Sequence, residues 1–147
     1  MASCATEPRR SVFTVARVLL VDDDPASRLA LQTVLQAGGY QVDAAASAAE
    51  AIGKLEDNEY ELVLSESELE SPHAGLRLLA HARNMSYKPA TALITTYPED
   101  TGPPFGANDE PLLIAWANLP ELLTRLAELI GHRAARRAAR ARRYAGE

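Results

Sequence analysis

Carboxylates follow two short apolar runs in a way that would suit metal chemistry. Asp22–Asp24 come directly after the run Val18–Val21, and Glu66 comes shortly after Leu62–Leu64. Carboxylate oxygens are the ligands that hard cations such as Mg²⁺ prefer. If the two runs are neighbouring strands, these acids meet at one edge and predict a cation site. The alternative is that Asp22–Asp24 only form a turn that caps the following helix.

The elements that would position these acids are short apolar runs alternating with helical patterns. Apolar runs without polar alternation are typical of strands covered on both faces of a parallel sheet. They are Val18–Val21, Leu62–Leu64, Ala92–Ile94 and Leu112–Ile114, with Tyr40–Ala45 as a weaker candidate. Helix starts lie between them: Asp24 caps a helix that begins at Pro25, and Ser47 with Glu50 forms a capping box. This order predicts an α/β fold with right-handed crossovers and a site at the carboxyl ends of the strands.

Composition limits the class of protein. The chain has 147 residues, of which 47% are hydrophobic and 24% charged, which is enough for one compact domain. No apolar run approaches the roughly 20 residues that cross a bilayer, and the single cysteine, Cys4, has no intrachain partner. No phosphate-binding glycine loop or nucleophile elbow is present. We therefore predict a cytoplasmic protein that neither spans a membrane nor acts as an enzyme, with a flexible leader at 1–11 and a domain at 12–131.

The charge is concentrated at the C-terminal end. Residues 132–147 contain six arginines and one acid, whereas the whole chain has a net charge of −5. The body therefore carries −10 and would repel nucleic acid, and only this Arg-rich segment, a tail or an extension of the last helix, could attract an anionic polymer. The candidate anion-binding residues are Arg133, Arg136, Arg137, Arg140, Arg142 and Arg143. The alternatives are a solvated tail, or docking on an acidic surface of this or another copy of the chain.

Several segments resemble the receiver domain of response regulators. They are Arg17–Arg28, Tyr60–Glu66, Pro89–Thr96 and Pro120–Leu123, and the resemblance covers about residues 16–131. It implies a flavodoxin-like (βα)5 fold, a doubly wound parallel sheet with strand order 2-1-3-4-5, and a role in two-component phosphorelay signalling. Four prolines lie within Tyr97–Pro111. We expect this stretch to be a Pro/Gly-rich loop that replaces the fourth helix of the family.

The resemblance also assigns roles to residues at the strand ends. Asp22 and Asp23 match the acid pair that holds Mg²⁺, and Thr95 matches the switch hydroxyl that contacts the phosphoryl group. Three other positions depart from the family pattern. Glu66 replaces the aspartate that accepts the phosphoryl group, Ala115 falls at the lysine position, and Leu112 falls at the position of the switch aromatic.

These departures predict a pseudo-receiver that acts as a protein-interaction module. Its partner would be a histidine kinase, another regulator or a second copy of the chain, in an oligomeric state that the sequence leaves open. No cofactor is required, and weak Mg²⁺ binding would use Asp22, Asp23 and Glu66. Glu66 could also imitate the phosphorylated state. Tyr97 and Trp116 are candidates either for docking or for core packing. The remaining alternatives are a receiver that is still phosphorylated, and nucleic-acid binding through the Arg-rich segment.

Overall fold

The computed structural model describes residues 16–66, 69–71, 73–95, 112–115 and 119–145. Strands and helices alternate over most of this range. In chain order the elements are β1 (Arg17–Val21), α1 (Pro25–Ala37), β2 (Gln41–Ala45), α2 (Ala48–Asp57), β3 (Leu62–Glu66), α3 (Ala74–Arg83), β4 (Ala90–Thr95), β5 (Leu112–Ala115) and α4 (Leu119–Ala145). The predicted leader at 1–11 and the predicted loop Tyr97–Pro111 lie outside the described residues.

The strands form one parallel sheet in the order β2-β1-β3-β4-β5. This confirms the α/β, flavodoxin-like class and the predicted strand order. The apolar runs became central strands because both of their faces are covered: Val18–Val21 and Leu62–Leu64 are fully buried. No helix in the described part of the chain has the length and apolar character that crossing a membrane requires.

The hydrophobic core lies in two layers, one on each face of the sheet. Alternate residues of a strand point to opposite faces, so Leu20 and Leu64 pack with α1 and α4, whereas Leu19 and Val63 pack with α2 and α3. The helices contribute mainly leucines to these layers. They are Leu31 and Leu35 of α1, Leu55 of α2, Leu78 and Leu79 of α3, and Leu122 and Leu126 of α4.

The predicted helix starts are present. The Asp24 carboxylate accepts a hydrogen bond from the Ser27 amide at 3.2 Å. The Ser47 hydroxyl accepts from the Glu50 amide at 3.1 Å, while the Glu50 carboxylate accepts from the Ala46 amide at 2.9 Å. These contacts satisfy amides that a helix cannot pair internally. Of the three adjacent acids, Asp24 therefore caps α1, and Asp22 and Asp23 are the ones available for the predicted cation site.

Candidate functional site

The carboxyl ends of β1, β3, β4 and β5 lie side by side at one edge of the sheet. The strand register pairs Val21 with Ser65, Glu66 with Ile94, and Thr95 with Ala115. Asp22 follows β1 directly, so the parallel topology brings Asp22, Glu66, Thr95 and Ala115 to the same edge. We call this the carboxyl edge.

Asp22 is the most buried charged residue of the carboxyl edge, with 1% of its surface exposed. Its Oδ1 accepts a hydrogen bond from the Asp24 amide at 2.9 Å, and its backbone carbonyl accepts one from the Arg28 guanidinium at 2.9 Å. Its Oδ2 is also buried, and no described residue forms a hydrogen bond with it. Burial raises the pKa of the Asp22 carboxyl group. A buried anionic oxygen of this kind fits a cation ligand.

The other acids of the carboxyl edge are more accessible. Asp23 is exposed and Glu66 is half-buried. Across the described ranges, no three His, Cys, Asp or Glu side chains form a group that could hold a metal ion. The observation that fits a cation is therefore the buried Asp22 oxygen, with Asp23 beside it in the sequence.

The backbone of Glu66 is closely packed against the start of α3. A Cβ atom at Gly75 would lie 2.9 Å from the carbonyl oxygen of Glu66 and 3.2 Å from the Ser65 hydroxyl oxygen. Only glycine allows this approach, because 2.9 Å is shorter than real Cβ contacts. Position 75 therefore requires glycine where the start of α3 passes the end of β3. Sequence analysis found Glu66 but missed the role of Gly75.

The strand register locates the β5 positions. Leu112 pairs with Ala92 at the start of the strand, and Ala115 pairs with Thr95 at its end. Alanine has no ionisable group, so Ala115 brings no cation to this edge. Tyr97 and Trp116, the candidate docking residues, lie outside the described residues.

At the opposite end of the molecule, the arginines of the C-terminal segment differ in burial and form two sets. Arg133 is 8% exposed, and it donates to the carbonyl of Tyr87 at 2.7 Å and to that of Lys88 at 2.9 Å. Arg137 donates to the Tyr87 carbonyl at 3.2 Å. Burial lowers the pKa of the Arg133 guanidinium. The exposed arginines of the segment are Arg136, Arg137, Arg140, Arg142 and Arg143.

Sequence analysis treated these six arginines alike and missed the structural role of Arg133. A signal was present, because Arg133 follows the buried Leu126 by seven residues and therefore lies on the same face of α4. The two carbonyls that it binds lie between α3 and β4, 45 and 46 residues away in sequence. That contact has no signature in local spacing.

This chain is similar to known receiver domains. The chain matches the response regulator receiver domain family over residues 18–102, whereas no curated protein matches it. It is similar to the structure of a CheY-like receiver domain protein from Methanospirillum hungatei, with 22% identity and a TM-score of 0.68, covering 84% of this chain and 99% of that one. It is also similar to the response regulator TrrA from Thermotoga maritima, solved in complex with Mg²⁺-BeF, with 26% identity and a TM-score of 0.64, covering 78% and 99%.

A third similar structure is the anti-anti-sigma factor PhyR from Bartonella quintana, with 18% identity and a TM-score of 0.70. The similarity covers 94% of this chain and 56% of that protein. The family match spans more than half of the chain and includes Asp22 and Glu66. This chain is therefore a member of the response regulator receiver domain family.

Proposed function

We propose that this receiver domain of two-component signalling acts as a protein-interaction module and does not cycle through phosphorylation. The observation that carries the proposal is the composition of the carboxyl edge. By the resemblance, Glu66 falls at the position of the acceptor aspartate and Ala115 at the position of the lysine. The register supports this reading, because Glu66 ends β3 and Ala115 pairs with Thr95 at the ends of β4 and β5.

The first argument concerns the reach of Glu66. A glutamate carboxylate extends one methylene farther than an aspartate carboxylate, about 1.5 Å. Phosphoryl transfer depends almost entirely on positioning and charge neutralisation, and a misplacement of about 1 Å can cost on the order of 10²-fold in rate.

The second argument concerns charge. A phosphoryl group would add negative charge beside Asp22 and Asp23, and the family compensates that charge with its lysine. Ala115 supplies none. Preorganised positive groups are a large part of the stabilisation of such transition states, so this loss adds to the effect of Glu66. A permanent glutamate directed toward Thr95 would instead give the domain a constitutive, phosphorylated-like charge.

A divalent cation remains compatible with the carboxyl edge. Asp22 and Asp23 would hold Mg²⁺, because the buried Asp22 Oδ2 lacks a described hydrogen-bond partner, and Glu66 would reach the ion through water. The ion would supply charge neutralisation for these acids. We propose weak binding of this ion, in the millimolar range.

The partner of the interaction module would be a cytoplasmic signalling protein: a histidine kinase, another regulator or a second copy of the chain.

Intact-mass measurement after incubation with acetyl phosphate and Mg²⁺ tests the lack of phosphorylation. We expect no adduct on the natural chain, and an adduct of about 80 Da, one phosphoryl group, on the double variant Glu66→Asp/Ala115→Lys. The single variants Glu66→Asp and Ala115→Lys serve as matched controls and should be modified less than the double variant. A stable adduct on the natural chain would overturn the proposal.

Affinity capture tests the interaction role. Partner binding should persist without acetyl phosphate. The substitution Trp116→Ala should weaken that binding if Trp116 forms part of the docking surface, because tryptophan is a frequent interface anchor. The melting temperature of the variant provides the control, since a core role for Trp116 would lower it. Binding that requires acetyl phosphate would contradict the proposed module.

A further inference from the structure

A groove of about 490 Å³ lies between α4 and the segment that enters β4. The groove is at the amino end of the sheet, opposite the carboxyl edge, because β4 begins at Ala90. Four cations, a hydroxyl and an apolar side chain contribute to its lining. They are Arg83, Lys88, Arg136, Arg140, Thr91 and Leu129. We call it the basic groove.

The charge of the basic groove is not balanced by protein carboxylates. None of the described residues that line it is an acid, and none of its four cations forms an ion pair with a described carboxylate. Two of the cations are held by neutral groups: the Arg83 Nε donates to the Thr91 hydroxyl at 3.4 Å, and the Lys88 Nζ donates to the Arg83 carbonyl at 3.1 Å. Unbalanced positive charge on a chain of net charge −5 indicates a local site for an anion.

The two walls of the basic groove are fixed to each other. Arg136 and Arg140 lie on α4, whereas Arg83 and Lys88 lie on the other wall. Between them, Arg133 and Arg137 hold α4 to the carbonyls of the segment before β4. The backbone of such a site is preorganised, so binding requires little movement of the two walls.

A neighbouring depression of about 330 Å³ differs from the basic groove in the charge of its lining. It is lined by Glu59 together with Arg137 and Arg140. The Glu59 carboxylate would repel an anion there and compensates part of the positive charge. The basic groove, without an acid in its lining, is therefore the better anion site of the two.

We propose that the basic groove binds a compact, multivalent phosphate, such as inorganic tripolyphosphate or the triphosphate chain of a nucleotide. Guanidinium groups bind phosphate oxygens in pairs and with short, charge-assisted hydrogen bonds, and the groove volume is in the range of small-molecule sites. This ligand is favoured over an extended polymer because Arg133 is buried against backbone carbonyls and the rest of the body is acidic. The inference is independent of the proposed signalling role.

Calorimetric titration in magnesium-free buffer tests this site with three probes: inorganic tripolyphosphate, ATP and a short duplex DNA. The groove variant is Arg136→Gln/Arg140→Gln, and the matched control is Arg142→Gln/Arg143→Gln, on the same helix and with the same change of charge. All four residues are exposed, so both variants should keep the circular dichroism of the natural chain.

We expect the groove variant to weaken tripolyphosphate binding about tenfold or more, and the control to change it by less than about twofold. ATP that binds as tightly as tripolyphosphate would identify the phosphate chain as the ligand, and tighter ATP binding would identify a nucleotide. The proposal is overturned if the natural chain does not bind tripolyphosphate, if both variants weaken binding equally, or if duplex DNA binds more tightly than tripolyphosphate.

Discussion

Replacing Arg133 with glutamine should destabilise the fold by about 2 kcal/mol. The guanidinium is buried, and it donates to the carbonyls of Tyr87 and Lys88 at 2.7 and 2.9 Å. Glutamine is too short and too poor in donors to replace both contacts. The variant therefore leaves the Lys88 carbonyl without this partner, whereas the Tyr87 carbonyl still accepts from Arg137 at 3.2 Å.

The magnitude follows from opposing contributions. A hydrogen bond to a charged group contributes about 1.5–3 kcal/mol to stability, so two such bonds would give roughly 3–6 kcal/mol. The burial that lowers the pKa of the Arg133 guanidinium also imposes a desolvation cost on it, which offsets part of this sum. The bond from Arg137 reduces the loss further. A net effect of about 2 kcal/mol corresponds to a decrease in melting temperature of roughly 6 °C for a domain of this size.

Urea unfolding of four variants measures the effect. Arg136→Gln is the matched control, because Arg136 is exposed on the same helix and should cost less than about 0.5 kcal/mol. Arg137→Gln alone should also cost little, but in combination with Arg133→Gln it should cost more than the sum of the single changes, because the Tyr87 carbonyl then loses both donors. Equal stability of the Arg133→Gln and Arg136→Gln variants would refute the reasoning.

Two further changes test the carboxyl edge. Burial raises the pKa of the Asp22 carboxyl group, so ionising this group costs more free energy in the folded than in the unfolded state. The contribution of Asp22 to stability therefore falls as the pH rises through the folded-state pKa. Asp22→Asn should therefore gain about 1 kcal/mol at pH 7 and nothing at about pH 3 in magnesium-free urea unfolding; an equal effect at both pH values would contradict this. Gly75→Ala should cost about 2 kcal/mol, because its Cβ would meet the Glu66 carbonyl at 2.9 Å. The control Gly53→Ala, in a helix with open space around it, should gain up to about 1 kcal/mol, and thermal unfolding that ranks the two alike would exclude the steric argument.

The strands were predictable because burial on both faces leaves a direct trace in the sequence, whereas their order was implied by the resemblance to receiver domains. Val18–Val21 and Leu62–Leu64 are uninterrupted apolar runs, and both are central strands. The cap at Asp24 was predictable for a similar reason, since its partner, Ser27, is only three residues away. Local patterns encode local contacts well.

Contacts between distant segments could not be predicted in this way. Nothing near Gly75 in the sequence indicates that it faces the Glu66 carbonyl, because that distance depends on how α3 meets β3. The lack of a described hydrogen-bond partner for the Asp22 Oδ2 likewise depends on the shape of the turn after β1. In the sequence, Arg133 is one of a series of arginines, and its contact with the Tyr87 carbonyl depends on the path of α4.

The close approach of Gly75 to Glu66 also determines how this domain could be re-engineered. A side-chain carbon at position 75 would lie 2.9 Å from the Glu66 carbonyl oxygen, so the end of β3 and the start of α3 must be kept compatible in any redesign. A loop grafted from a relative would have to bring its own glycine at this point of contact. Under the proposed loss of phosphorylation, a phosphate-accepting variant would therefore be sought first in substitutions at Glu66 and Ala115, with Gly75 retained.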